Sequence, residues 1–499
     1  MKKLLILLTV LLVLGSACKK SFLNVDETNP NSASVVPPNL VLPAALNTTA
    51  RLVTNPDNFT FIYLWYGSWS ISGGYAQPTN LTQYNLLNSS YQGIWDNFYL
   101  NLANYDYIEK NSTSAQSAPY KAIAMIMKAY IFQNLVDCYG NVPYSQALKS
   151  GTPQILKPVY DNQQDIYDSL VVKLDAAIAI IHNLPADAAT VGSYDIVYKG
   201  DMFAWVKFAN TLKLRLLVNQ SGITSRASYI SSAISSSSTS ADFIGAGEGA
   251  MANPGYTNSN NKMNPFWENF YKVDGSAQAD GITYTMAGQD AVDFLNDNND
   301  PRKLLIFAPY TAGGKVIKGN YFGALLLGTV PTTSAFGRGL LQGPTHSAPL
   351  LTDFESLFIQ AEAAQKGIIT GVVKALYQSG VAQSIVYLGG NAADATDYLS
   401  QGGKPMVNFD EAPNKLETII TQKWIALNGV DPMPIWTDYR RTHFPSFIHF
   451  SQDPAKLNAK PPVRLLYPQT ELNTNGANVT AQGPVTLFTT HIFWDPFQK

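Results

Sequence analysis

The chain has 499 residues, with 34 Lys and Arg against 36 Asp and Glu and a formal net charge of −2; without a basic excess it lacks the electrostatic footprint of a nucleic-acid binder. Only 14% of residues are charged while 12% are aromatic, and two cysteines are too few for a disulfide framework. A surface of neutral polar groups and aromatic rings suits neutral, hydroxyl-rich ligands better than phosphates.

Lys2 and Lys3 precede an apolar run from Leu4 to Leu14, and Gly15-Ser16-Ala17-Cys18 is a small-residue exit. This predicts a secretory signal over residues 1–17, too short to remain as a membrane span. Its removal takes two lysines and moves the formal balance to −4. Cys18, directly after the cleavage position, is placed for bacterial lipidation on its thiol and freed amine. Two or more acyl chains give stable anchoring, since each buried methylene adds about 0.8 kcal/mol. The alternative is an ordinary secretory signal that ends near a cysteine. With Cys18 lipidated, Cys138 has no partner, and no later apolar run is long enough to cross a bilayer.

Residues 18–37 are polar and rich in Asn, Ser and Pro, the composition of a tether; residues 38–499 form the globule. Pro43 to Val53 and Phe59 to Ser72 carry apolar residues at helical spacing, the second stretch broken by Gly67 and Gly73-Gly74. Ile94, Phe98, Leu102 and Tyr105 mark a helix, and Ile123, Ile126, Tyr130, Ile131 and Leu135 the next, which stops at Gly140 and Pro143. Ile166 to Leu184 and Asp201 to Gln220 give two more. Such pairs with short loops predict stacked helical hairpins of the tetratricopeptide kind, although no strict 34-residue period can be read. From Ala241 to about Gln342 the periodicity is lost, and the stretch reads as a loop-rich insert. Helical signal returns at Phe354–Ala361, Val372–Val381 and Leu416–Leu427; past Pro445 it is sparse.

Catalytic and cofactor motifs are absent: there is no GxSxG elbow, HExxH helix, phosphate loop or paired CxxC. Gly245-Ala-Gly-Glu-Gly249 lacks the spacing of a dinucleotide loop and reads as a flexible loop. No cofactor is expected. Asp297 and Asp300 are a weak calcium candidate, set against the plainer reading of an Asx-rich turn before Pro301.

Four separated stretches together resemble the SusD/RagB family of surface lipoproteins, in its SusD-like branch: Asp137-Cys-Tyr-Gly-Asn-Val-Pro143, Phe354 to Glu362, Gln422 to Asn428 leading into Trp436-Thr-Asp-Tyr-Arg-Arg-Thr442, and Arg464 to Pro468 with Glu471 and Asn473. The resemblance implies a mainly α, single large domain on tetratricopeptide-like helix pairs with a loop-rich ligand-binding face. It also implies a non-enzymatic role at the outer membrane, facing the cell surface, as the lid of a SusC-type TonB-dependent transporter that receives an oligosaccharide or, in some members, a peptide. In the motifs, Arg440 and Arg441 are expected to tie loop carbonyls or carboxylates such as Glu362 and Glu471.

A sugar site needs a flat aromatic ring for the apolar C–H face and amides or carboxylates for the hydroxyls. Two loop-like stretches offer both: Trp65 to Tyr84, with Trp69, Tyr75, Gln77 and Asn80, and Asn260 to Tyr284, with Trp267, Asn269, Tyr271, Asp274 and Tyr284. Trp69, Tyr75, Asn80, Trp267, Tyr271 and Tyr284 are the candidate ligand contacts; the plainer reading of Trp65 and Trp69, four apart, is helix core. Competing functions are a secreted glycoside hydrolase, whose carboxylate pair would be spatial rather than sequential, and a periplasmic helical-repeat scaffold.

Overall fold

Several helices begin where Asx, Thr or Pro residues can start them. α1 (Pro38–Thr54) opens on a proline and ends at Asn55, whose side chain accepts from Asp57 N–H at 3.0 Å and so starts α2 (Pro56–Trp65). After β1 (Trp69–Ile71) come α3 (Gln92–Asn111), α4 (Ala118–Tyr139), α5 (Gln163–His182), capped by Asn162, and α6 (Met202–Asn219), capped by Asp201. The computed structural model describes residues 36–149, 155–234, 239–278, 281–324 and 333–498. The signal, Cys18 and nearly all of the tether lie outside them.

α1, α3, α4, α5 and α6 pack each against the next, and α6 packs on α9 (Asp353–Gln365). α4 is buried along nearly its whole length, because α3 and α5 cover its two sides. Its apolar residues therefore leave no polar stripe. Between α6 and α9 lie β2 (Ala250–Ala252), α7 (Pro265–Phe270), β3 (Thr285–Ala287), α8 (Gln289–Asp297) and β4 (Ala348–Leu351). α10 (Val373–Tyr387) packs on α9, α11 (Ala392–Leu399) on α10, and α12 (Lys415–Ala426) on both α9 and α10; α13 (Pro432–Thr442) packs on α2, and α14 (Gln469–Thr480) lies against α3. The architecture is mainly α, with tetratricopeptide-like helix pairs forming one domain.

The structure departs from the sequence reading at two places, the first of which shapes the site. The apolar stretch at 59–72 is helical only as far as Trp65: Gly67 takes φ +72°, and Trp69–Ile71 becomes a strand. β1 pairs antiparallel with β3 in the register Trp69–Ala287, Ser70–Met286 and Ile71–Thr285, and β2 pairs with β4. The 241–342 stretch is thus stitched to the helical scaffold by short ladders. α14, in the sparse C-terminal region, is also absent from that reading.

The four stretches of the resemblance converge. Arg440 Nη1 donates to the carbonyls of Asp137 (2.7 Å) and Val463 (2.9 Å), and its guanidinium lies over Trp436 at 3.9 Å. Arg464 Nη2 donates to the Tyr139 carbonyl, and Tyr467 donates to the Asn141 carbonyl at 2.8 Å. Arg441 grips Glu362 with both nitrogens, Nη2 to Oε2 at 2.5 Å, and shares Asp438 at 2.7 Å. Burial alone would raise the Glu362 carboxyl, but Arg441 and Lys366 outweigh it and hold it well below the usual carboxylate range. Glu471 is not an arginine partner: it accepts from the Tyr160 hydroxyl at 2.8 Å, because α14 lies against the 157–160 segment. Cys138 is a buried free thiol whose Sγ lies 3.9 Å from Met433 Sδ.

Candidate functional site

The β1–β3 ladder sets the site. Because Ile71 pairs with Thr285, the chain leaving β1 runs beside the chain entering β3, and Ser72 N–H donates to the Tyr284 carbonyl at 2.9 Å. Tyr75 and Tyr284 are thereby brought together, rings 5.5 Å apart and nearly perpendicular at 85°. The Tyr75 hydroxyl shares a 2.5 Å hydrogen bond with the Thr283 hydroxyl. Both rings are half-buried, so each keeps part of its surface in water.

The second pair stands on α7. Asn264 caps this short helix: its Oδ1 accepts from Trp267 N–H at 3.0 Å, while its Nδ2 donates to the His346 carbonyl at 2.9 Å. Trp267 and Tyr271, one helical turn apart, stack with centroids 4.4 Å apart and 20° between planes. Both are half-buried. α7 is fastened to α1 by Glu268, whose Oε2 meets Arg51 Nη2 at 2.5 Å, and to α2 by the Asn269 amide, which donates to Asp57 at 3.0 Å once its nitrogen is assigned to the end facing that carboxylate. Desolvation raises the Asp57 carboxyl, and the Asn269 hydrogen bond opposes it. α7 also packs on the 281–284 turn that carries Tyr284. The two ring pairs therefore sit on adjoining elements.

Beneath Trp267 is a small cavity of about 20 Å³, lined among others by Phe266, Gln342, His346 and Tyr387. That is room for one water, which needs about 10–15 Å³ by this measure. Trp267 Nε1 and His346 Nε2 both line it and have no hydrogen-bond partner among the described residues. Burial pushes the His346 pKa down, so its imidazole is neutral at pH 7. The sequence reading passed over Asn264, although Asn-Pro is a helix-start signal; His346, 82 positions away, carried no signal.

The remaining candidates divide. Trp69 is core: 1% exposed, with Nε1 bound to Asn428 Oδ1 at 2.8 Å and its ring against Tyr63 (4.1 Å) and Phe336 (4.6 Å). Enclosed on its faces, it offers no surface for stacking a ligand, because the strand turns it inward. Asn80 is exposed on the one-turn helix Thr79–Thr82, with no hydrogen bond to the ring pairs among the described residues. Gln77 is half-buried with an unpartnered Oε1 among the described residues. Asp274 is exposed and closes its own turn, accepting from Ser276 N–H (2.9 Å) and hydroxyl (2.6 Å). Of the two weak calcium candidates, Asp300 is buried and bound to Arg302 through both oxygens (2.9 and 2.6 Å), whereas Asp297 faces solvent. No cluster of three or more metal-ligating side chains occurs among the described residues, nor is any described helix long and apolar enough to cross a membrane.

Residues 30–468 match the family model described as "Starch-binding associating with outer membrane". No curated protein matches the sequence. Among similar solved structures, a chitin-binding SusD homolog from Flavobacterium johnsoniae is 23% identical with a TM-score of 0.74, covering 91% of this chain and 98% of its own. A SusD homolog from Bacteroides uniformis is 24% identical at TM-score 0.73, over 91% and 99%. A SusD-like protein from Bacteroides thetaiotaomicron is 25% identical at TM-score 0.70, over 89% and 95%. With the family model spanning most of its length, and the four motif stretches joined in one structural core, the chain belongs to the SusD/RagB family of outer-membrane-associated proteins.

Proposed function

We propose that this protein is a lipoprotein anchored through Cys18 at the outer membrane, facing the cell surface, that binds a neutral oligosaccharide and passes it to a SusC-type TonB-dependent transporter. The observation that carries the reading is the pairing of four half-exposed rings, Trp267 with Tyr271 and Tyr75 with Tyr284, on adjoining elements. Aromatic faces of this kind stack on the C–H faces of sugars, and Gln77 and Asn80 supply amides on the same stretch as Tyr75. The carboxylates beside the rings are already engaged: Glu268 by Arg51 and by Asn261 N–H at 2.7 Å, Asp274 by Ser276. That favours binding over glycoside hydrolysis, which needs a free carboxyl pair. Two similar solved structures are described as chitin-binding, so a hexamer of N-acetylglucosamine is the first probe and maltohexaose the second.

The delivery role is tested by purifying the tagged, membrane-extracted full chain and identifying what comes with it by mass spectrometry. A stoichiometric TonB-dependent barrel is expected. Recovery of the lipoprotein alone under conditions that keep outer-membrane complexes intact would refute delivery and leave a free binding protein.

A further inference from the structure

A hollow of about 380 Å³ opens between the first turns of α6 and the Gly245–Gly249 loop, lined by Tyr198, Asp201, Phe203, Lys207 and Glu248. It shares no lining residue with the cavity under Trp267, and its volume falls in the range of small-ligand sites, about 300–1,000 Å³. The loop is a fixed wall despite its glycines. Glu248 Oε2 accepts from Gly245 N–H at 2.8 Å, and Gly247 N–H donates to Asp353 Oδ2 at 2.7 Å, which pins the loop to the start of α9. Gly247 needs its glycine, with φ +80°.

Phe203 is 72% exposed. It adds nothing to the core, since the buried face of α6 is carried by Trp205, Phe208, Ala209 and Leu212; its one aromatic neighbour among the described residues is His182, at 6.5 Å. The charged side chains around it are already engaged. Lys207 Nζ donates to both Glu248 oxygens at 2.6 and 2.8 Å, and the Asp201 carboxylate caps α6 by accepting from Phe203 and Ala204 N–H. An anionic ligand would meet no uncompensated cation here, and an apolar one would meet a single ring in a polar cup. A flat ring beside engaged donors and acceptors, with two carboxylates against one ammonium in the lining, disfavours anions and matches a neutral pyranose: an apolar C–H face and a polar rim.

We propose that this hollow is a second carbohydrate site, in which Phe203 stacks on a neutral sugar ring and the Lys207–Glu248 pair hydrogen-bonds its hydroxyls. The inference rests on the reading of the chain as a glycan binder and extends it: two sites on separate elements would hold one long glycan at two points and raise its avidity when the chain spans both.

The test is hydrogen–deuterium exchange of the full chain, titrated with the N-acetylglucosamine hexamer and with maltohexaose, in wild type and Phe203→Ala. Protection is expected at residues 198–207 and 245–249 as well as at 265–278. Phe203→Ala should weaken the first two by roughly two- to tenfold in midpoint, the worth of one aromatic contact, and leave the third unchanged. Protection confined to 265–278 would overturn the second site and leave the first standing. Protection confined to 198–207 and 245–249 would uphold the second site and overturn the Trp267 assignment. Protection nowhere with either sugar would overturn both.

Discussion

Trp65 and Trp69 have the same residue type and one helical turn of sequence between them, yet they reach the core by different routes. Trp65 ends α2, with its Nε1 bound to the Leu81 carbonyl at 3.2 Å; Trp69 lies in a strand and binds Asn428. Spacing alone could suggest that one of them was core but not which rings stay in water, because exposure here depends on a strand pairing more than two hundred residues away. The correct partner of Arg441 was legible, since a buried guanidinium must find a carboxylate; Glu471 was not excluded until α14 placed it beside Tyr160. Two outcomes follow at this scale. Trp69→Ala should destabilise the fold by about 3–5 kcal/mol, the usual loss for a buried Trp, read as a fall in the denaturation midpoint. Glu362→Gln should cost about 3 kcal/mol at neutral pH by leaving Arg441 only Asp438, a carboxylate that Lys423 also claims. The folded carboxyl lies below its unfolded value of about 4.5, so its stabilisation is complete above that pH and lost as pH falls below it. The difference between wild type and variant should therefore shrink on acidification, as melting curves across pH 3–7 would show (roughly the titration range of a carboxylate).

The long helices were legible from their apolar rhythm, reinforced in some by a polar cap: Asn162 before α5, Asp201 before α6, Asn414 before α12. α14 was not, because its stability is of another kind. It is rich in Asn and Thr, kinks at Asn475, and is tied down by Asn475 and Asn478, which donate to the Pro158 carbonyl at 2.9 and 3.1 Å. Strands of three or four residues such as β1 and β3 are too short for a period-2 pattern to register. The element that matters most for binding is α7, whose six residues cannot hold a helix alone. Asn264→Ala removes its cap and the tie to the His346 carbonyl. It should lower stability by about 1 kcal/mol and weaken oligosaccharide binding several-fold, although every ring remains; calorimetric titration beside a melting curve separates the two effects.

Across the molecule, the motif residues that betray the family and the rings offered to ligand are different sets. Arg440, Arg441, Arg464, Trp436 and Asp137 knot α4, α9, α13 and the 464–467 segment into the core. The aromatic pairs stand on the loops this core supports, where backbone placement is fixed by β1–β3 pairing and by the Glu268–Arg51 and Asn269–Asp57 ties. Fold could be read from sequence because buried polar knots constrain residue identity. The site could be located only to two stretches, since stacking asks for aromatic rings without fixing their spacing. The most direct measurement is calorimetric titration of wild type and Trp267→Ala with the N-acetylglucosamine hexamer and maltohexaose. Wild type should bind at least one, and Trp267→Ala should lose roughly tenfold or more of that affinity with its melting temperature nearly unchanged. Equal affinity in the two proteins, or no binding of either sugar by wild type, would contradict the account.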